Sequence, residues 1–411
     1  MKRLALSLLI LAAASVAFAE SPQSPSPAER SIAQARLLIE KNPKNFEAWN
    51  ALALALSRRA RETSDVNFYN QAEDALRQSF AISPDNFDGA RIHVWLLLGK
   101  HEFAAALDQA KKLNKRMPDD VMTYGFLTDA NVELGNYKDA ETSAQMMLDL
   151  RPGNLPALTR AAYLRELFGD VDGSLELMNM ALESTAPGEV EDRAWILAQM
   201  AHLELSTGKS SQAEQYLNQA LTLFPGYHYA LGNLAKVRTQ QKRYDEAVQL
   251  LQQRYQQAPH AENLFDLAEA LQLAGRTDDA AKAFSEFEQK SLLETNRGDN
   301  SNRELIFYYA DYAHQPAKSL DVAEKEFARR HDVYTLDAYA WALHVNGRNQ
   351  EARKQIEQAL AVGIRDARIL GHAGEIALAT GDRAAAEKYF HQAEDLSDPK
   401  LQASEGTLAR L

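Results

Sequence analysis

The fold of this chain is decided by one stretch, Asp119 to Asn154, which reads DDVMTYGFLTDANVELGNYKDAETSAQMMLDLRPGN. Its apolar residues recur at spacings of three and four, which is the pattern of a helix with one buried face. Gly135 interrupts this pattern and Pro152 ends it. Glycine readily takes the left-handed backbone conformation common at helix ends, and proline cannot continue a helix. The stretch therefore predicts two antiparallel helices that meet at Gly135.

The same pattern recurs along the chain with a period of about 34 residues. When the chain is aligned on Ala140, the corresponding small residues are Ala72, Ala104, Ala140, Ser174, Ala213, Ala247, Ala280, Ala352 and Ala386. The interval from Ala280 to Ala352 is about twice the period, which predicts a degenerate repeat near Ala317. Small residues at fixed positions allow two helices to pack closely, so the series predicts stacked helix pairs.

This series resembles the tetratricopeptide-repeat family, whose consensus has the same period and the same order of aromatic, leucine, small, Gly-x-Tyr, alanine and proline positions. Trp49 in the first repeat, Tyr137 in the third, and Tyr244 and Pro259 in the sixth occupy consensus positions. The resemblance covers roughly residues 30 to 400. It implies an all-α fold, a right-handed α-solenoid of about ten antiparallel helix pairs.

The first nineteen residues read as a signal peptide. Lys2 and Arg3 precede an apolar stretch over residues 4–18, and residues 17–19 (Ala-Phe-Ala) are typical of a cleavage site. We expect cleavage after Ala19 and export to the bacterial periplasm or the medium. The alternative is an uncleaved membrane anchor, for which the apolar stretch is short. No other stretch is long and apolar enough to predict a membrane span after cleavage.

The rest of the chain divides by composition. Residues 20–29 are rich in proline and serine and predict an extended linker. Residues 30–293 form a predicted N-terminal array with a leading cap helix. Residues 294–303 are polar and predict a loop, which precedes the degenerate repeat. Residues 304–411 form a predicted C-terminal array with a capping tail, because terminal repeats need a polar outer face.

Composition and motifs argue against nucleic-acid binding, catalysis and metal binding. The formal net charge of −12 argues against general nucleic-acid binding. The chain has no cysteine, so it has no thiol nucleophile and no Cys-ligated metal. No two of its ten histidines lie within four residues of each other, so a helical His-x-x-x-His metal face is absent. The sequence predicts no enzyme, no cofactor and no metal site. The alternative is a hydrolase whose site is assembled from distant repeats.

The family resemblance implies that the first helix of each pair lines a concave surface where a ligand lies. Transferring the family register to this sequence gives a candidate partner groove of Arg91, Trp95, Asp129, Tyr163, Trp195, His202, Tyr229, Lys236, Phe265 and Trp341. Aromatic side chains there would anchor a peptide. The alternative for each is that it packs between neighbouring helix pairs.

These observations predict a non-catalytic exported scaffold that binds protein or peptide partners along its concave surface. The alternative is an accessory subunit of a polysaccharide synthesis or export complex, because groove aromatics can also stack on a glycan. Neither reading indicates an oligomeric state.

Overall fold

The computed structural model describes residues 25–63, 65–295 and 300–396, which contain twenty-one α-helices and no strand. The predicted signal peptide and the tail after Pro399 lie outside the described residues. A leading helix, α1 (Pro27–Lys41), is followed by ten antiparallel helix pairs. The prediction of an all-α solenoid of about ten pairs is confirmed.

The first five pairs are α2 (Phe46–Thr63) with α3 (Asn67–Ile82), α4 (Phe87–Gly99) with α5 (Phe103–Arg116), α6 (Val121–Glu133) with α7 (Tyr137–Leu150), α8 (Leu155–Leu167) with α9 (Val171–Ser184), and α10 (Val190–Leu205) with α11 (Ser210–Leu223).

The last five pairs are α12 (His228–Gln240) with α13 (Tyr244–Gln257), α14 (Ala261–Leu273) with α15 (Thr277–Glu294), α16 (Asn302–Phe307) with α17 (Pro316–Phe327), α18 (Val333–Val345) with α19 (Asn349–Ala361), and α20 (Ala367–Ala379) with α21 (Arg383–Asp395). A π-helical turn, Tyr308–Tyr312, extends α16.

The leading helix begins at Pro27, inside the stretch predicted to be a linker. Ser26 caps it: the Ser26 hydroxyl accepts a hydrogen bond from the Glu29 backbone N–H at 3.2 Å. The Glu29 carboxylate accepts one from the Ser26 backbone N–H at 2.8 Å. This reciprocal arrangement satisfies two backbone donors at the helix start, and proline is favourable in the first turn. The helix therefore starts at the last proline of the linker.

In the second helix of each pair, the same repeat position holds a small residue that is completely buried. These residues are Ala72, Ala106, Ala140, Ser174, Ala213, Ala247, Ala280, Ser319, Ala352 and Ala386, all 0% exposed. One sequence assignment was therefore wrong, because Ala104 is exposed and Ala106 takes its place. The degenerate repeat predicted near Ala317 is present, and Ser319 is its buried small residue. We call these ten residues the anchor residues.

The misassignment has a physical cause. The residue five positions before Ala106 is His101, and the one before Ser319 is His314. Both take the left-handed backbone conformation, with φ of 57° and 51°, that Gly135 takes in the third pair, with φ of 74°. Histidine is among the residues that tolerate this region. A search for glycine at the turn therefore shifts the second repeat by two residues and finds no turn residue for the eighth, which was placed only from the double interval.

The array coils back on itself, so that early and late repeats share one hydrophobic core. Leu164 and Leu167 of α8 belong to the same buried cluster as Val333 and Leu336 of α18. The backbones also meet, because the His331 N–H donates to the Glu133 carbonyl at 2.9 Å. The seven pairs that precede residues 296–299 and the three pairs that follow them are thus packed against each other.

Candidate ligand-binding cavity and inner surface

A cavity of about 400 Å³ lies among the first helices of five successive pairs. Each helix contributes at least one side chain to its wall: Arg61 from α2, Trp95 from α4, Asp129 from α6, Tyr163 from α8 and Trp195 from α10. We call this the five-helix cavity. Four of the predicted groove residues are therefore brought together by the fold.

Four of these wall residues occupy one position of the repeat. Arg61, Trp95, Asp129 and Tyr163 each lie eleven residues before the anchor residue of their own pair, respectively Ala72, Ala106, Ala140 and Ser174. Because successive pairs stack in the same orientation, one repeat position forms a row along the inner surface. The row explains why residues far apart in sequence face a common space.

Arg61 joins the first of the five helices to the last. Its guanidinium forms an ion pair with Asp192 at 3.0 Å and a second, shorter one with Glu191, both at the start of α10. Glu191 also accepts a hydrogen bond from the Tyr227 hydroxyl at 2.7 Å. The contact closes the ring of five helices around the cavity.

Burial alone would lower the pKa of Arg61, but Glu191, Tyr227 and Asp192 raise it above the ordinary value of arginine. The side chain is therefore a permanent cation. The ring is held closed by a charge that does not titrate in any physiological range.

A second charge pair crosses the cavity wall. Arg160 of α8 binds Asp129 through two parallel hydrogen bonds, with Nε 2.7 Å from Oδ1 and Nη2 2.5 Å from Oδ2. The same guanidinium donates to the carbonyls of Gly125 and Pro156, both at 3.1 Å. Such a bidentate pair is geometrically fixed and its charges cancel. The predicted groove residue Asp129 is therefore not a free acid.

A smaller cavity of about 250 Å³ shares Asp129, Arg160 and Tyr163 with the first, and His101 and Glu133 lie on its other side. Burial, with help from Arg330 and Arg303, lowers the pKa of His101 to about 3. Burial and then Asp332 raise the pKa of Glu133 to about 7.

Burial raises the pKa of Tyr163 well above its usual value, and Tyr334 and Glu133 add to the effect. At neutral pH the phenol is un-ionised and both donates and accepts hydrogen bonds.

The inner side of the later pairs carries a second group of predicted residues. The Trp341 indole stacks on His372, with ring centroids 4.2 Å apart and planes at 16°. Its Nε1–H donates to Asp311 at 2.8 Å. His372 Nδ1 lies 2.8 Å from the Asp337 carboxylate. Lys236, on α12, is exposed. Trp341 is thus a positioned aromatic side chain that remains partly accessible.

Three other predicted groove residues already have intramolecular partners. Arg91 pairs with Asp88 at 2.6 Å and Asp120 at 2.8 Å. The His202 ring Nε2 lies 2.8 Å from the Glu166 carboxylate.

The Tyr229 ring centroid lies 4.0 Å from that of His228. The two residues are neighbours on α12, so this contact lies within one helix.

The assignment of Phe265 to the groove was wrong. This residue is 2% exposed and packs in the core against Phe284, Phe287 and Tyr312. The π-helical turn brings Tyr312 over the Phe265 ring, with centroids 6.0 Å apart. The ring was expected on the surface because the register gives the helix face of Phe265 but not the rings of Phe284, Phe287 and Tyr312 that cover it.

The sequence reading also missed three cavity residues, Arg61, Arg160 and Asp192. Arg61 has a sequence signal, since it lies eleven residues before Ala72 in the row that contains Asp129. Arg160 and Asp192 lie outside the rows. Arg160 reaches the cavity through its pair with Asp129 of the neighbouring α6, and Asp192 reaches it because the ring closes. Among the described residues no group of three or more His, Cys, Asp or Glu side chains is placed to hold a metal ion.

Two parts of the chain match family models described as tetratricopeptide repeat, residues 204–262 and residues 338–399. The chain therefore contains tetratricopeptide repeats in both of its halves. In sequence, this repeat protein is 26% identical over 154 residues to the TPR repeat-containing protein MJ1428 of Methanocaldococcus jannaschii. The match covers 37% of the chain and only 25% of that relative.

Solved structures of similar fold also exist. The human IFIT1 dimer with m7Gppp-AAAA has a TM-score of 0.52 at 15% identity, with 92% of this chain and 86% of that chain covered. Cut9 in the APC/C hetero-tetramer Cut9–Hcn1 has a TM-score of 0.49 at 13% identity, and the repeat protein covers 58% of that chain. At 15% identity the likeness to the IFIT1 chain concerns the fold alone. Tetratricopeptide repeats are typical of non-catalytic protein-interaction scaffolds, and no helix among the described residues has the length and apolar character of a membrane span.

Proposed function

We propose that this tetratricopeptide-repeat protein is a non-catalytic exported scaffold that binds protein or peptide partners on the inner side of its later repeats. The observation that carries the proposal is Trp341, a partly accessible indole held by His372 and Asp311. A pre-positioned aromatic side chain loses little conformational freedom on binding and is a frequent interface anchor.

The charges around Trp341 support a peptide ligand. Arg368 and Asp311 are exposed on this inner side, as is Lys236 of α12. Glu269 accepts a hydrogen bond from Tyr312 at 2.8 Å, and burial raises the pKa of its carboxyl group. A surface that offers an aromatic anchor with both signs of charge suits a peptide with alternating apolar and polar side chains.

Site-specific photo-cross-linking tests the proposal. A photo-reactive amino acid replaces Lys236 or Arg368 on the inner side, where both are exposed, and Lys282 of α15, whose side chain is 79% exposed, as the control. We expect the same discrete partner band from both inner positions and none from Lys282. Equal cross-linking from all three positions, or from Lys282 alone, would contradict the proposal.

Export is the second element of the proposal and rests on Lys2, Arg3 and the apolar stretch that follows them. Mass spectrometry of the protein from the periplasmic fraction tests it. We expect a mature chain that starts at Glu20. A chain with Met1 intact in the cytosolic fraction would refute export and leave the cross-linking result unaffected.

A second candidate function is that of an accessory subunit in polysaccharide synthesis or export. Trp95 and Trp195 favour it, because they bring two indole rings to one cavity. The experiment is glycan binding by the purified protein, which we expect Trp95→Ala to abolish if this function holds. If Trp95→Ala still binds the glycan, the five-helix cavity is not the glycan-binding site.

A further inference from the structure

We infer that the five-helix cavity is a binding site for a neutral saccharide unit. The first argument is enclosure. Five helices surround about 400 Å³, and the Arg61–Asp192 ion pair at 3.0 Å joins the first helix to the fifth. This volume falls in the range of small-molecule sites, about 300–1,000 Å³. An extended peptide that crosses the array would have to break the closing ion pair, whereas a compact ligand would not.

The second argument is charge balance. The two cations of the wall, Arg61 and Arg160, each have an acid of the same wall as partner, Asp192 and Asp129. A charged ligand would have to displace one member of a pair, and an acid left without its partner in a largely enclosed site is costly. A neutral ligand with hydroxyl groups leaves both pairs intact. It gains hydrogen bonds from the remaining donors and lone pairs of the four side chains.

The third argument is the chemistry of the wall. Trp95, Trp195 and Tyr163 present aromatic rings that are partly accessible. A pyranose ring has apolar C–H faces and a rim of hydroxyls, so it can stack on an indole while its rim meets polar groups. Thr159 and Tyr163, which both carry hydroxyl groups, also line the cavity. A purely apolar ligand would leave these polar groups unsatisfied.

The inference gives a ligand class to the second candidate function and is independent of the scaffold function, since Trp341 and Lys236 lie outside this cavity. The two can therefore fail separately. Loss of partner cross-linking would not affect saccharide binding, and absence of saccharide binding would not affect cross-linking.

The experiment is calorimetric titration of the full chain with neutral trisaccharides (maltotriose, cellotriose and chitotriose), with trigalacturonate as the charged counterpart. Titration with the corresponding neutral polysaccharides distinguishes a free sugar from a segment of a polymer. We expect saturable binding of at least one neutral sugar and none of trigalacturonate. Trp195→Ala should weaken this binding about fivefold, because an aromatic contact contributes roughly 1 kcal/mol.

Two further variants make the result decisive. Thr159→Phe places a ring in the cavity while every wall aromatic is retained, and it should also weaken binding at least tenfold. Thr159→Phe still tests saccharide binding in the cavity if Trp195→Ala does not fold. Trp49→Phe is the matched control, because Trp49 donates to the Pro43 carbonyl at 2.9 Å outside the cavity wall. Absence of binding to every neutral sugar, stronger binding of trigalacturonate, or equal binding by Thr159→Phe would overturn the inference.

Discussion

The backbone N–H of His331 donates a hydrogen bond to the carbonyl of Glu133 at 2.9 Å, although the two residues belong to opposite halves of the repeat array. Glu133 is the last residue of α6, and His331 lies between α17 and α18. The carbonyls at the end of a helix have no partner within the helix. Here one of them is satisfied by a distant repeat, so the end of α6 is a docking point for the later pairs.

The first prediction concerns Gly135, which lies next to this docking point. It has a φ of 74°, and an added Cβ would lie 2.9 Å from the His331 carbonyl oxygen. Gly347 has the same φ, with nothing within 4 Å of the added Cβ. We expect Gly347→Ala to lower the free energy of unfolding by about 1–2 kcal/mol, the cost of the left-handed conformation. Gly135→Ala should lower it further. Urea unfolding measures both, and equal losses would show that the docking point is not tight.

The second prediction concerns closure of the five-helix ring. Arg61→Ala leaves the carboxylate of Glu191, a residue only 7% exposed, without its cation. We expect a loss of about 1–3 kcal/mol in the free energy of unfolding, the cost of an unsatisfied buried polar group. Arg58→Ala is the control, because Arg58 is exposed on the same helix. Adding Glu191→Gln to Arg61→Ala should restore part of the loss. A double variant as unstable as the single one would argue against this cause.

The third prediction concerns a single hydroxyl between the two halves. The Val333 backbone N–H donates to the Tyr137 hydroxyl at 3.0 Å, and Val333 is fully buried at the start of α18. Tyr137→Phe should leave this N–H unsatisfied and accelerate its hydrogen exchange, at a cost of about 1–3 kcal/mol. Tyr244→Phe, at the same repeat position in α13, is the control. If Val333 exchanges at the same rate in all three proteins, the hydroxyl does not hold the halves together.

The fourth prediction is a fall in stability as the pH rises through 7. Burial and then Asp332 raise the pKa of Glu133 to about 7, despite Arg330 and Arg303. A folded-state pKa above the unfolded value of 4.5 means that the folded state holds the extra proton between these two values. The stabilisation that this proton provides is fully present below 4.5 and is lost as the pH rises through 7.

Burial and then Glu262 raise the pKa of Glu304 to about 7 as well. Two histidines act in the opposite direction, since burial lowers the pKa of His101 to about 3 and of His228 to about 4. Their contribution is present above 6.5 and is lost as the pH falls through those values. Measurements between pH 6.5 and 8 therefore isolate the carboxyl groups.

In this window we expect the thermal unfolding midpoint of the unmodified protein to fall with pH. Glu133→Gln and Glu304→Gln should each flatten the slope, because glutamine does not titrate. Glu183→Gln, an exposed residue of α9, is the control and should leave the slope unchanged. A midpoint that rises from pH 6.5 to 8, or a slope that neither glutamine variant alters, would contradict the assignment.

The repeat period predicted the helices well, because each helix pair is specified by residues within it. Gly135 and Pro152 mark a turn and an end from local backbone chemistry alone. The glycine pattern did not mark the turns where histidine takes the left-handed backbone conformation, as His101 and His314 do. The groove assignment was wrong at Phe265, because Phe284, Phe287 and Tyr312 of the π-helical turn cover its ring.

Prediction of the candidate site was limited by contacts between distant repeats. Trp95, Asp129 and Tyr163 were predicted because each repeats a position of its neighbours. Asp192 was missed because its role depends on α2 lying against α10. Arg160 was missed for another reason, since it lies fourteen residues before Ser174 and belongs to none of the predicted rows. A repeat register describes how one pair stacks on the next and contains no information about where the coil meets itself.

The Arg61–Asp192 contact also constrains how the gene can change. An open stack of hairpins can gain or lose a unit by duplication or deletion, because each unit touches only its neighbours. Between α2 and α10 the number of repeats is fixed, since one repeat more or fewer would place the Arg61 guanidinium out of reach of Glu191 and Asp192. Length variation among descendants of this chain should therefore be concentrated outside residues 61–192.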